Sequence, residues 1–181
     1  MLTLAFFATP GSLGASTAAL GAAMATSLLD DRPFQFFSDR PHPHTGRAGI
    51  AVLPRSAYSP SSETVALYDI SDVARPRTPA DIEVLEASLG RSTVWLPIVG
   101  SAPQSKAYLG VLKVRPMVPL FVEPDPGQTR NPMIDDLCRQ VLERGVESLG
   151  YTPMAGIRKW TQAWLDLLTP LYRAGTETLA K

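Results

Sequence analysis

The sequence predicts an α/β fold, a mostly parallel sheet with helices on both faces. Three observations point there. The chain opens on a short, wholly apolar run, Leu2 to Ala8 ("LTLAFFA"), as a strand buried on both faces does. A glycine-containing turn and an alanine-rich stretch follow it. Apolar runs then alternate with helical patterns to the end of the chain. The length, 181 residues, fits one domain, and no repeat, low-complexity tract or linker divides residues 1–181.

The elements follow in order. Ser16 to Leu29 reads as a helix, with Leu20, Met24 and Leu28 at helical spacing and small residues that permit close approach to a sheet. Pro33 to Phe37 ("PFQFF") and Gly49 to Pro54 ("GIAVLP") are the second and third strands, and Thr64 to Ile70 ("TVALYDI") the fourth. Thr78, Pro79 and Asp81 carry the cap, first-turn proline and capping-box acid of a helix that Gly90 stops. Ser92 to Gly100 ("STVWLPIVG") is the clearest strand, Ala107 to Val114 a short helix, and Met117 to Pro124 a strand that Pro119 places at an edge or an irregular position. Two helices close the chain, Pro132 to Ser148 and about Ala155 to Ala174. The second carries an apolar stripe of Ile157, Trp160, Trp164, Leu167, Leu168 and Leu171. Trp160 and Trp164 read as core, with an exposed anchor for a partner as the alternative.

The totals exclude several classes. Hydrophobic residues make up 45% and charged residues 19%, a folded globular composition. Lys plus Arg and Asp plus Glu both number 17, so there is no general attraction to DNA or an anionic membrane. A single cysteine, Cys138, rules out an intrachain disulfide and reads as packing on the apolar face of Ile134, Leu137, Val141 and Leu142. His42 and His44 share one side of an extended segment, but a metal site there would need carboxylates from elsewhere. Residues 1–29 hold no charged side chain, which raises export or membrane insertion. A basic leader region is absent, and Pro10, Gly11, Ser12 and Gly14 cut the apolar stretch, so no membrane span is expected and a cytoplasmic setting is.

The first turn, "ATPGSLGASTAAL", sits where open α/β sheets bind ligands, outside the carboxyl end of a strand. A phosphate loop needs glycines for backbone approach, a helix N-terminus, a lysine on the terminal phosphates and a hydroxyl for magnesium. Gly11, Gly14, Ser16 and Thr17 supply glycines and hydroxyls, whereas Ala15 stands where the lysine belongs. Together with "VALYDISD" and "STVWLPIVG", this order resembles the ParA/MinD family of deviant P-loop ATPases, whose loop reads K-G-G-x-G-K-[ST]-T. On that pattern Ser12 replaces the second glycine, Pro10 the signature lysine and Ala15 the general P-loop lysine. The resemblance implies that Gly11, Ser12, Gly14, Ala15, Ser16 and Thr17 form the nucleotide loop, that Asp69 supports magnesium through water, and that Asp39 takes an acidic position after the second strand. It also implies a P-loop NTPase-like domain with a degenerate site, holding no cofactor or weakly bound ATP or ADP with magnesium. Its work would then be that of a non-hydrolysing adaptor or scaffold in plasmid or chromosome segregation, conjugation or placement of a bacterial cellular apparatus. A protein partner is implied; a homodimer, and non-specific DNA contact through Arg158, Lys159 and Arg173, stay open.

Three rival readings remain, of which an exported protein, raised by the uncharged residues 1–29, is one. Another is an active nucleotide switch that borrows a lysine such as Lys106 or Lys113; the third is an unrelated small α/β enzyme or binding module. No Ser–His–Asp order, metal cluster or glycosidase-like carboxylate pair stands out. Asp72 reads as a solvated turn residue, and Asp135 and Asp136 as complements to a helix dipole.

Overall fold

At the centre of the molecule lies the first apolar run. Thr3–Ala8 forms strand β1, and all six of its residues are buried. The computed structural model describes residues 2–9, 14–29, 33–42, 45–46, 49–59, 64–70, 78–90, 93–100, 117–121, 132–143, 148–153 and 159–179. After β1 come α1 (Ala15–Thr26), β2 (Phe34–Phe37), β3 (Val52–Leu53), a 3-10 turn (Arg55–Ala57) and β4 (Val65–Asp69). The second half holds α2 (Pro79–Leu89), β5 (Thr93–Val99), β6 (Leu120–Phe121), α3 (Pro132–Glu143), β7 (Gly150–Tyr151) and α4 (Trp160–Leu179).

The strands form one sheet in the order β3-β2-β4-β1-β5-β6-β7, and every pairing is parallel. Side chains alternate between the two faces of a strand. Leu4, Phe6 and Ala8 therefore join Phe36, Leu67, Leu96 and Ile98 in one apolar cluster with α1 and α4. Ala5 and Phe7 join Trp95, Val99 and Phe121 in a second, with Leu85 and Leu89 of α2 and Ile134 and Cys138 of α3. Helices thus cover both faces of a parallel sheet, the α/β architecture expected from the sequence. Cys138 is half-buried against the second cluster, in keeping with its packing role.

The buried face of α1 is made of Ala15, Ala18, Ala19, Gly21, Ala22, Ala23 and Ala25, while Leu28 just beyond the helix is 51% exposed. Small residues let the helix axis come close to the sheet and to α4. A Cβ placed on Gly21 would lie 2.2 Å from Trp164 Nε1, so only glycine admits the indole at this crossing. Trp164 is 1% exposed, and Trp160 meets it edge-on at 6.4 Å. The core reading holds for Trp164, and half-buried Trp160 packs against the same cluster. Thr26 Oγ1 meets Tyr172 Oη at 2.5 Å and also donates to the carbonyl of Ala22, which pins the two helices together away from water.

Helix α2 starts as its sequence requires. Thr78 Oγ1 accepts from Asp81 N (3.3 Å), Asp81 Oδ2 accepts from Thr78 N (2.8 Å), and Gly90 ends the helix at φ +89°. Replacing Thr78 with Ala is expected to cost about 1 kcal/mol, the usual worth of such a cap. A urea midpoint that does not fall in the variant would contradict that role.

Several expectations need correction. Of the two positions that Pro119 suggested, the irregular one holds and the edge does not: Pro119 falls in the gap between the isolated Met117–Trp95 bridge and β6, whose Leu120 and Phe121 lie between β5 and β7, and residues 122–124 lie outside the described residues. Pro97 sits inside the interior strand β5. The Trp95 carbonyl accepts from Val118 and the Ile98 carbonyl from Thr9, so by alternation Pro97 turns its missing N–H toward β6, where pairing is interrupted, and spares the continuous ladder with β1. The third long helix is Pro132–Glu143, and Ser148 instead leads into β7, a two-residue strand with no periodic signal. The last helix begins at Trp160, since Lys159 adopts φ +66°, and runs to Leu179, past Ala174. The expected helix Ala107 to Val114 lies outside the described residues.

Candidate functional site

Opposite crossovers define where a ligand would sit. The connection leaving β1 passes through α1 on one face, whereas that leaving the adjacent β4 passes through α2 on the other. Ligands of open α/β sheets bind at the carboxyl ends of two such neighbouring strands, where the chain departs to opposite sides. Beyond β1, Thr9 N and Thr9 Oγ1 both donate to the Ile98 carbonyl, at 3.0 and 3.2 Å. Beyond β4, Ile70 N donates to the Phe6 carbonyl at 3.0 Å. These bonds extend the ladder and fix the rims of the crevice.

Gly14 stands at the N-cap of α1 in the left-handed region, φ +102°, which favours glycine. It has no side chain with which to cap the helix, and the first turn carries no acidic residue. The positive end of the dipole and its backbone N–H groups are therefore disposed toward an anion. Ala15 is 2% exposed and packs into the cluster between α1 and the sheet, Ser16 is half-buried and Thr17 is exposed. Gly11 and Ser12, with Pro10, lie outside the described residues, as do His44, Asp72, Lys106, Lys113 and Arg158.

Asp69 ends β4 and is 1% exposed. Its registered partner on β1 is Phe6, and on the other side β2 pairs Phe37 with Tyr68, so Ser38 falls beside Asp69 one step further. Ser38 Oγ donates to Asp69 Oδ2 at 3.0 Å. His42 Nε2 lies 3.0 Å from the same hydroxyl and 3.4 Å from Asp69 Oδ2. Asp69 and Ser38 belong to the face that carries Leu67, Phe36 and α1, the side of the sheet on which the first turn begins. Sequence reading singled out Asp69 but found no Ser–His–Asp grouping. Only strand register and the bend at 38–42 assemble one, and no spacing motif announces it.

Asp39 is placed differently. Its Oδ1 accepts from Arg55 N at 2.9 Å and its Oδ2 from Arg55 Nε at 2.8 Å, tying the end of β2 to the 3-10 turn after β3. The Arg55 backbone N–H, and then its guanidinium, hold the Asp39 carboxyl below the ordinary carboxylate range. Asp136 is likewise engaged by Arg139 and Gln140 within its own helix. Among the described residues no group of three or more His, Cys, Asp or Glu side chains could hold a metal ion. No helix among them is long and apolar enough to cross a membrane.

No protein-family model matches the sequence, and no curated protein matches it significantly. Among solved structures it is similar to a ParA family ATPase from Chlorobium tepidum TLS, at 13% identity and a TM-score of 0.41, over 98% of this chain and 95% of that one.

Proposed function

We propose that this chain is a ParA/MinD-like protein with a degenerate nucleotide loop, which works as a non-hydrolysing adaptor or scaffold in a positioning process such as DNA segregation, conjugation or placement of a cellular apparatus. The observation that carries the reading is position 15. The first residue of α1, in the turn that follows β1, is a buried alanine, and on the resemblance to the ParA/MinD loop a lysine would stand there. That cation stabilises charge developing on the transferred phosphoryl group more than it stabilises bound nucleotide. Its loss therefore suppresses turnover more than binding. The left-handed Gly14, which brings no side chain to the start of α1, supports a residual anion cradle that holds no nucleotide or only weakly bound ATP or ADP with magnesium. Gly11, Ser12, Ser16 and Thr17 would line the cradle, Asp69 would orient magnesium-bound water, and Asp39 would contribute from the end of β2.

Purified full-length protein is expected to release phosphate from ATP no faster than buffer, and Asp69→Asn is expected to leave that rate unchanged. Turnover that Asp69→Asn abolishes would overthrow the scaffold reading. Calorimetry with ADP and ATP, with and without magnesium, provides the second measure. Micromolar, magnesium-dependent ATP binding would instead favour an active switch.

A further inference from the structure

The proton count at Ser38 decides what the buried Ser38–His42–Asp69 group does. A hydroxyl has one hydrogen to donate and two lone pairs with which to accept. Ser38 Oγ is 3.1 Å from Arg40 N, 3.0 Å from Asp69 Oδ2 and 3.0 Å from His42 Nε2. The Arg40 N–H can only donate, and a carboxylate can only accept. The single Ser38 proton therefore goes to Asp69 and one lone pair goes to Arg40. The remaining lone pair faces His42 Nε2, which must bring the hydrogen. The 3.4 Å approach of the same nitrogen to Asp69 Oδ2 agrees, because an N–H pointed between the two oxygens is attracted to both. A bare nitrogen lone pair there would be repelled by the carboxylate.

We infer that His42 and Ser38 are positioning residues for Asp69, forming a donor chain from His42 Nε2–H to Ser38 and from Ser38 to the Asp69 carboxylate. This order also excludes Ser38 as a nucleophile activated by His42, since its hydrogen is committed to Asp69 and His42 Nε2 has no lone pair to receive it. The chain is held from behind. The His42 ring packs on Phe36 with centroids 4.9 Å apart, and its side chain is 5% exposed. Its backbone carbonyl accepts from both the N–H and the hydroxyl of Thr45, at 3.1 and 2.6 Å. Such support fixes the direction in which Asp69 offers its carboxylate. The consequence for magnesium-bound nucleotide rests on the reading proposed above.

Two labels on the full-length protein test the chain. With ¹⁵N-histidine, His42 is expected to show a protonated Nε2, His44→Gln separating the two histidines. With ¹³C-carboxyl aspartate, Ser38→Ala and His42→Ala should each move the Asp69 signal, identified by its loss in Asp69→Asn. Ser38→Thr and His42→Gln, which keep a donor in place, should return it toward its original position. An Nδ1–H tautomer, or an Asp69 signal indifferent to His42→Ala, overturns the inference. If Ser38→Ala does not fold, His42→Ala and Ser38→Thr carry the same comparison. In calorimetry, His42→Ala should weaken the magnesium-dependent part of ADP binding about two- to tenfold, the worth of one hydrogen bond. An intact donor chain in a protein that binds no ADP would refute the nucleotide reading and leave the chain standing.

Discussion

Trp164→Ala is expected to destabilise the protein by about 3–5 kcal/mol, the range for emptying a large aromatic site in a packed core. For a chain of this size that lowers the melting temperature by roughly 6–20 °C. The indole is 1% exposed and fills the space that Gly21 leaves open on α1. Its Nε1 has no hydrogen-bond partner among the described residues, so the loss is one of packing and not of a polar contact. Gly21→Ala attacks the same contact from the other side. Helix propensity alone would make that change favourable by up to about 1 kcal/mol. The new Cβ, however, would sit 2.2, 2.5 and 2.6 Å from three atoms of the indole, and relief requires moving a large buried ring. A net loss of about 1–3 kcal/mol is expected, as for other overpacked cores. In the double variant the added methyl enters space the indole has vacated, so the combined loss should fall short of the sum. Thermal or urea unfolding checks all three, and a Gly21→Ala protein more stable than the parent would refute the close crossing of α1 and α4.

Asp69→Ala should cost about 1–3 kcal/mol, through a different mechanism. Ser38 is 5% exposed and donates its hydrogen to Asp69. Removing the carboxylate takes the acceptor from the hydrogen of a buried hydroxyl, and it removes the charge that draws the His42 N–H. Asp69→Asn keeps an oxygen of the same reach and should cost less than the alanine variant. The Ser38→Ala and Asp69→Ala losses should not add, because each already breaks the same bond. Additive losses in a double-mutant cycle would show that the two side chains act independently. Both results are read from equilibrium unfolding and need no nucleotide.

How much of this was legible in advance varies by element, for physical reasons. The strand Thr3–Ala8 and the capped start of α2 could be read residue by residue, because burial on both faces and a capping box leave local signatures. Strand β7 could not, since two residues carry no period and the strand is defined by its pairing with Leu120 and Phe121. The interior place of β6 was hidden for a related reason. Proline advertises a missing donor, but whether the donor is missed depends on which neighbour the residue faces. The alanine-rich run was readable as a helix that lies close to its support. Which residue came close, the indole of Trp164 over Gly21, was not.

The candidate site divides along the same line. Glycines, hydroxyls and a methyl at position 15 stand within a few residues of one another, so their chemistry is a property of the chain itself. Asp69, at the end of an apolar run, was visible for the same reason. Ser38 and His42 acquire meaning only when β2 lies beside β4 and the chain bends back over Phe36. Local spacing and side-chain type by themselves determined the α/β class and the lack of a lysine at position 15, because both depend on near neighbours along the backbone. The strand order, the crevice between opposite crossovers and the His42–Ser38–Asp69 contacts were decided by tertiary structure alone, since hydrogen bonds and packing between distant segments exist only once the sheet has brought them within reach.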